Sequence, residues 1–329
     1  MMRKSHEGTR AGFSRRGRSR GAGGHGGRLL ILSAAVLRGT TGTALAFAPP
    51  GAEPAAVGAV RIAVGGLALL ALAALRGELC AGGVRWPPLA TATAALGVAA
   101  YQPFFFAGVA KTGVALGTIL AIGSAPVWTG AIGLLFLGEK PTVRWGIATV
   151  LAVSGCALLL GAGGGVSVDA AGVLLALSAG ACYAVYATAS KRLLTEGLPH
   201  VAVMAVVFSA GAVLLCPLLA ASDLGWLAEP RGAAVAVELG LVATTLAYVL
   251  FARGLAVVPV TSAATLSLAE PLMAGLLGVL VLGERLGIAA LLGAVLMLAG
   301  LALASVGREA PKNGRQEPGQ GRGSASGPE

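Results

Sequence analysis

GSAPVWTGAIGLLFLGEK (residues 123–140) and LAEPLMAGLLGVLVLGER (residues 268–285) carry one pattern twice. In each, a proline precedes a glutamate by 13 residues, and Leu-Gly-Glu closes an apolar run. Pro126 falls on Pro271, and Leu137-Gly138-Glu139 on Leu282-Gly283-Glu284, at an offset of 145 residues. The same offset holds outward without a gap. Gly27 meets Gly172, Ser33 meets Ser178, Thr43 meets Thr188, Gly66 meets Gly211, Phe106-Ala107 meets Phe251-Ala252, and Gly155 meets Gly300. A constant register over such a length marks an internal repeat. Chance in a chain rich in Gly, Ala and Leu yields glycine pairs, not proline and glutamate pairs at matched spacing.

Composition says what is repeated. Of 329 residues, 56% are hydrophobic and 12% charged, and mean hydropathy is +0.83. Soluble domains are about 25% charged, so a water-soluble fold is excluded. Ten apolar segments are read at about 29–48, 55–75, 89–110, 113–137, 143–161, 171–190, 201–219, 232–251, 259–282 and 286–306. They show no period-2 alternation, so they are not barrel strands. Segments of this length must satisfy their own backbone and are helices. The expected fold is an all-α integral membrane protein of ten transmembrane helices. It divides into a basic tail (1–28), two five-span repeats (29–161 and 171–306) and a second tail (307–329), with both tails disordered. Five is odd, so the second repeat crosses in the opposite sense, the inverted architecture of many secondary transporters.

The net charge of +10 belongs mostly to a tail. Residues 1–28 contribute +7, residues 29–306 contribute +2 and the last 23 contribute +1. No basic folded face is left for nucleic acid. With the N-terminus in the cytoplasm, cytoplasmic segments hold 19 Lys/Arg against three outside (Lys111, Arg231, Arg285). The positive-inside rule then puts both termini in the cytoplasm of a cell-membrane protein. A cleavable signal around Arg15-Arg16 and Ala44-Leu45-Ala46 is the competing reading. It is disfavoured because Arg38 interrupts the apolar stretch and because the segment recurs mid-chain.

Residues 126–155, with Gly-Glu-Lys at 138–140, and the second copy from Leu268-Ala269-Glu270-Pro271-Leu272 to Leu282-Gly283-Glu284-Arg285 resemble the EamA-type repeat of the drug/metabolite transporter superfamily. The resemblance covers about 28–306. It implies ten helices round a central cavity and export of small metabolites or drugs, commonly in exchange for protons. It says nothing of the substrate. One departure is Arg38-Gly39, where the family's first span usually has an aromatic-Gly pair.

Four ionisable residues fall within spans: Arg38, Arg61, Glu238 and Glu270. A charge at a helix centre costs about 2.5–3.5 kcal/mol on insertion scales, so such residues face an interior and find partners. Helical rise puts Arg38 roughly 14 Å and Glu270 roughly 17 Å deep, near the midplane of a ~30 Å core. Arg61 and Glu238 lie at about 9 Å, within reach of the interface by snorkelling. The expected pairs are Arg38 with Glu270 and Arg61 with Glu238. Protonating Glu270 weakens its hold on Arg38, and a substrate carboxylate then competes for the arginine. Gln102 and Tyr183, the latter being the register mate of Arg38, are further binding candidates, as is Tyr186. Pro126 and Pro271 are candidate kinks, each freeing the carbonyl four residues earlier.

Other chemistry is not expected. The four cysteines have no CxxC spacing and read as small buried residues. His6, His25 and His200 have no plausible metal partners, and no Walker A loop is present. The Gly-Glu pairs read as punctuation, Gly as a left-handed C-cap and Glu at the positive end of the next helix. The resulting expectation is a secondary transporter without cofactor or catalytic residues. It is a proton-coupled exporter of a small, amino acid-like metabolite or drug, with an importer or facilitator as the alternative. A lipid-acting enzyme and a membrane scaffold are weaker readings. The lipid bilayer, protons and the small-molecule substrate are the expected partners, and a homodimer stays open.

Overall fold

A computed structural model describes residues 20–80, 85–161, 169–283 and 287–306. They contain no β-strand. The chain runs through α1 (Arg20–Arg38), α2 (Thr40–Ala46), α3 (Pro54–Leu75), α4 (Pro88–Thr112), α5 (Val114–Leu137) and α6 (Val143–Gly161). It continues through α7 (Ala170–Thr195), α8 (His200–Leu214), α9 (Cys216–Ala221), α10 (Pro230–Val237), a π-helical segment (Glu238–Leu246), α11 (Ala247–Val257), α12 (Val260–Ser267), α13 (Ala269–Leu282) and α14 (Ile288–Val306).

Among the described residues, eight helical stretches are long and apolar enough to cross a membrane, including Gly24–Ala46, Pro230–Val257 and Val260–Leu282. Val143–Leu159 and His200–Leu214 are shorter apolar helices. Large apolar side chains such as Leu75, Leu135, Val143 and Ile288 stand exposed on the outside of the bundle. In water such a surface would drive association, whereas against lipid tails it costs nothing.

With lipid outside, association rests on close packing and polar contacts rather than on expulsion of water. The seam between α6 and α14 shows it. A Cβ on Gly155 would lie 2.5 Å from both the Gly293 carbonyl oxygen and the Met297 nitrogen. Only glycine lets the two backbones touch there.

Three long elements are interrupted where the sequence gives a reason. Gly39 separates α1 from α2, Leu215 separates α8 from α9 just before Pro217, and Leu268 separates α12 from α13. The last break sits beside Pro271, whose ring excludes the ordinary bond to Ser267; the Leu268 N–H closes a tighter turn on the Thr265 carbonyl at 3.1 Å. The equivalent Pro126 does not interrupt α5. The π-helical segment had no signal in the hydrophobic pattern. There the Thr244 and Thr245 hydroxyls bond carbonyls five residues back, Leu239 and Gly240, at 2.7 and 2.8 Å.

Charged side chains seat the helix ends. Asp169 caps α7 through the Gly172 N–H at 3.0 Å, with Lys111 at 3.6 Å. The Gly172 N–H, then Lys111, hold the exposed Asp169 carboxyl below the usual carboxylate range. Gly138 and Gly283 are left-handed C-caps at φ 63° and 70°, as expected for Leu-Gly-Glu. Glu139 departs from expectation, because it does not serve the next helix. Its carboxylate accepts from the Val260 N–H at 2.7 Å, the Thr261 N–H at 3.2 Å and the Thr261 hydroxyl at 3.0 Å. It therefore caps α12, 121 residues away. Glu284 lies outside the described residues.

Gly155→Val should overpack the α6–α14 seam at a cost of ~1–3 kcal/mol. Thermal unfolding in detergent is expected to show a lowered midpoint, with little change for Gly146→Ala, whose added Cβ meets open space.

Candidate functional site

The breaks at Gly39 and Leu268 meet at the centre of the bundle. A Cβ on Gly39 would lie 2.6 Å from Met273 Cβ and 2.8 Å from the Glu270 carbonyl oxygen. The small residue after Arg38 thus lets the end of α1 settle directly on the start of α13. The Arg38 Nε then donates to Glu270 Oε2 at 2.9 Å. Arg38 is 4% exposed and Glu270 27%. The pair inferred from depth is therefore present, with its acid facing open space and its base nearly buried at the edge of the same space.

What encloses Arg38 is aromatic. Its guanidinium carbon lies 5.5 Å from the Tyr248 ring centroid and 5.4 Å from that of Phe251. Tyr186, Phe208, Tyr248 and Phe251 pack edge and face on one another behind it. Arg38 Nη1 and Nη2 make no hydrogen bond. The cation is thus held by one carboxylate and by ring faces, an interaction worth about 2 kcal/mol or more when desolvated.

Glu270 opens on a cavity of about 630 Å³. Its wall includes Arg61 on α3, Tyr101, Gln102, Phe105 and Phe106 on α4, Ala121 and Ala125 on α5, and Tyr183 on α7. Residues on the cavity side of α1–α2, α3, α4 and α5 come from the ends nearest the 47–53 and 113 connections, so the mouth lies at that end. The opposite end is closed by buried side chains such as Leu193, Val203, Leu255 and Val260.

The remaining candidates separate. Gln102 is buried on the wall beside Gly58, and Tyr183 shares a hydrogen bond with Ser267 at 3.1 Å. Pro271 reaches the wall next to Glu270, whereas Pro126 is not among the lining residues. Arg61 and Glu238 do not pair. Glu238 begins the π-helical segment, whose wider turn presents it to α2. There the Thr40 hydroxyl donates to Glu238 Oε1 at 2.5 Å, and Oε2 has no partner. Arg61 lines the cavity, and its buried Nε has no hydrogen-bond partner. Sequence reading overlooked the aromatic wall of Tyr101, Phe105 and Phe106. Its signal was plain, since Tyr-Gln-Pro-Phe-Phe-Phe (101–106) concentrates aromatics that form 5% of the chain. No group of three His, Cys, Asp or Glu side chains could hold a metal among the described residues.

Comparison with known proteins follows the same outline. The model of the EamA-like transporter family matches residues 25–161 and again 170–306, the two matches displaced by the 145-residue offset. The chain is 47% identical over 277 residues to the uncharacterized transporter YwfM of Bacillus subtilis (strain 168), covering 84% of this chain and 93% of that protein. It is 32% identical over 197 residues to the threonine/homoserine exporter RhtA of Escherichia coli (strain K12), covering 56% and 64%. It is also 32% identical over 244 residues to a probable terminal-alkyne amino-acid exporter of Streptantibioticus cattleyicolor, covering 72% and 80%. A crystal structure at 22% identity superposes with a TM-score of 0.73 over 87% of this chain and 97% of its own, which concerns the fold alone.

Removing one partner of the central pair should leave Arg38 buried and uncompensated. Glu270→Ala is expected to cost ~3–5 kcal/mol, while Arg38→Met combined with Glu270→Gln recovers most of it. Unfolding midpoints of the single and double variants measure the coupling.

Proposed function

The chain belongs to the EamA-like transporter family, a multi-pass membrane transporter, and from that premise we propose that it exports small α-amino acid-class metabolites in exchange for protons. The observation that carries this reading is the charge arrangement on the cavity wall. One carboxylate, Glu270, faces the space beside its partner Arg38, and a second arginine, Arg61, lines it without an ion pair among the described residues. A ligand with an ammonium and a carboxylate complements both, and the apolar remainder of the wall takes its side chain. The two exporters above carry hydroxylated and alkyne amino acids in their names. What those substrates share is the ammonium and the carboxylate.

The exchange follows from the occupancy of Glu270. As an ionised carboxylate it holds Arg38 and attracts the substrate's ammonium, while Arg61 takes the substrate's carboxylate. A proton on Glu270 removes the charge and releases the ammonium. Proton and substrate thus compete for one group, so an inward proton gradient drives the substrate out. Arg38, stacked against Tyr248 and Phe251, holds Glu270 and also reaches the cavity wall. The substrate's carboxylate thus has two cations to meet, Arg61 on the open wall and Arg38 once Glu270 is protonated.

The architecture fits ten spans in two inverted five-helix repeats, alternating access between the two faces. The charge bias supports a cell-membrane protein with both termini on the cytoplasmic side. On that orientation the mouth of the cavity faces outward.

Purified protein in liposomes with an imposed pH gradient tests the reading. Radiolabelled amino acids are expected to accumulate on the acidic side. Arg61→Ala should raise the half-saturating concentration about tenfold, equivalent to ~1.4 kcal/mol. Glu270→Gln should abolish the response to the gradient. No movement of any amino acid, or full gradient dependence in Glu270→Gln, contradicts it.

A further inference from the structure

The cavity is open at one end only, and the repeat register shows what the closed end is made of. Leu45, Val57, Gly58 and Thr118 line the cavity. Their mates 145 positions on are Ser190, Ala202, Val203 and Ala263, and all four are fully buried. The closed end is therefore the same wall, collapsed.

Helix ends distinguish the two states further. At the closed end, α8 and α12 begin after Pro199 and Pro259, which provide no side-chain cap. Carboxylates from the other half of the chain supply it. Glu78 accepts from the Val201 and Ala202 N–H groups at 3.2 and 3.3 Å. Glu139 accepts from Val260 and Thr261 as described above. Lys191 adds a third clasp, donating to the Leu255, Ala256 and Val258 carbonyls at the end of α11 at 2.6, 3.1 and 2.8 Å. Each places a charge on the complementary end of a helix dipole. At the mouth, the mate of α8 is α3, and its N-cap residue Glu53 makes no side-chain bond. The mate of Glu78 is Asp223. Its carboxylate is turned away, accepting from the Gly225 N–H at 2.8 Å.

Resting on the alternating-access reading, we propose that Glu78 and Glu139 are latches that hold the end opposite the mouth shut, and that Asp223 is the counterpart latch. When the mouth closes, Asp223 leaves Gly225 and caps the first turn of α3 at Ala56, the register mate of Val201. Opening the other end costs the Glu78 and Glu139 caps, and closing the mouth gains the Asp223 cap. The carboxylates thus set the balance between the two states without touching the substrate.

The test uses full-length protein lacking the four native cysteines and carrying either Thr118→Cys, on the open wall, or Ser190→Cys, in the closed one. Rates of modification by a bulky maleimide in detergent report the two ends separately, without substrate or proton gradient. In the parent, Thr118→Cys should react fast and Ser190→Cys slowly. Adding Glu139→Gln or Glu78→Gln should speed Ser190→Cys roughly tenfold, the loss of a charge-assisted hydrogen bond or two, and slow Thr118→Cys. Asp223→Asn should do the reverse. Thr261→Val, which removes only the hydroxyl arm of the Glu139 clasp, gives the same direction if Glu139→Gln does not fold. Unchanged rates, both cysteines speeding up together, or Asp223→Asn moving them the same way as Glu78→Gln overturns the proposal. Transport assays that fail for lack of a substrate leave these rates untouched, so the two failures are distinguishable.

Discussion

An arginine near the centre of an apolar bundle needs a partner where it sits, because an isolated charge at that depth is costly. That constraint organises the middle of this molecule. Arg38 ends α1 because Gly39 follows, Gly39 permits contact with the Glu270 backbone, and the Leu268 break presents Glu270 to the arginine at 2.9 Å. The aromatic residues behind Arg38 fill its remaining surroundings with ring faces. Each feature alone, whether a broken helix, a missing side chain or a buried guanidinium, weakens a membrane helix. Together they satisfy one another.

The two arginines on the cavity wall differ in what holds them. A base buried under tyrosine and phenylalanine is fixed in charge and position, which suits it to hold a carboxylate in readiness. Arg61 lines the same cavity without an ion pair among the described residues. Repeat one supplies both cations and repeat two both acids; Arg38 meets Glu270 between the halves, whereas Glu238 bonds Thr40 on α2. Motion of one half against the other changes those distances, which is the physical requirement for coupling occupancy to conformation.

Much of this was legible before any coordinates, for definite reasons. The Pro126/Pro271 and Glu139/Glu284 matches set a register that needs no structure, and the family match repeats at the same offset. Arg38 and Glu270 were matched through helical rise, since a bilayer turns depth into a strong demand for a partner. Arg61 and Glu238 stood at equal depth too, but depth says nothing about azimuth. The π-helical turn from Glu238 alters azimuth while leaving hydropathy untouched. Glu139 was read against the helix nearest in sequence, yet its donors lie on α12; cross-repeat capping has no local signal. The aromatic box round Arg38 is assembled from α7, α8 and α11, and its members are ordinary core residues until the fold brings them to one cation.

The central claim is that a proton and a substrate exclude one another at Glu270. Proton release on substrate binding measures this directly, using weakly buffered detergent solutions of purified protein and a pH indicator, with an amino acid found to bind. The account predicts that wild-type protein releases protons as substrate saturates, while Glu270→Gln binds without release. Binding by the wild type with no proton released at any starting pH, or equal release by Glu270→Gln, contradicts it.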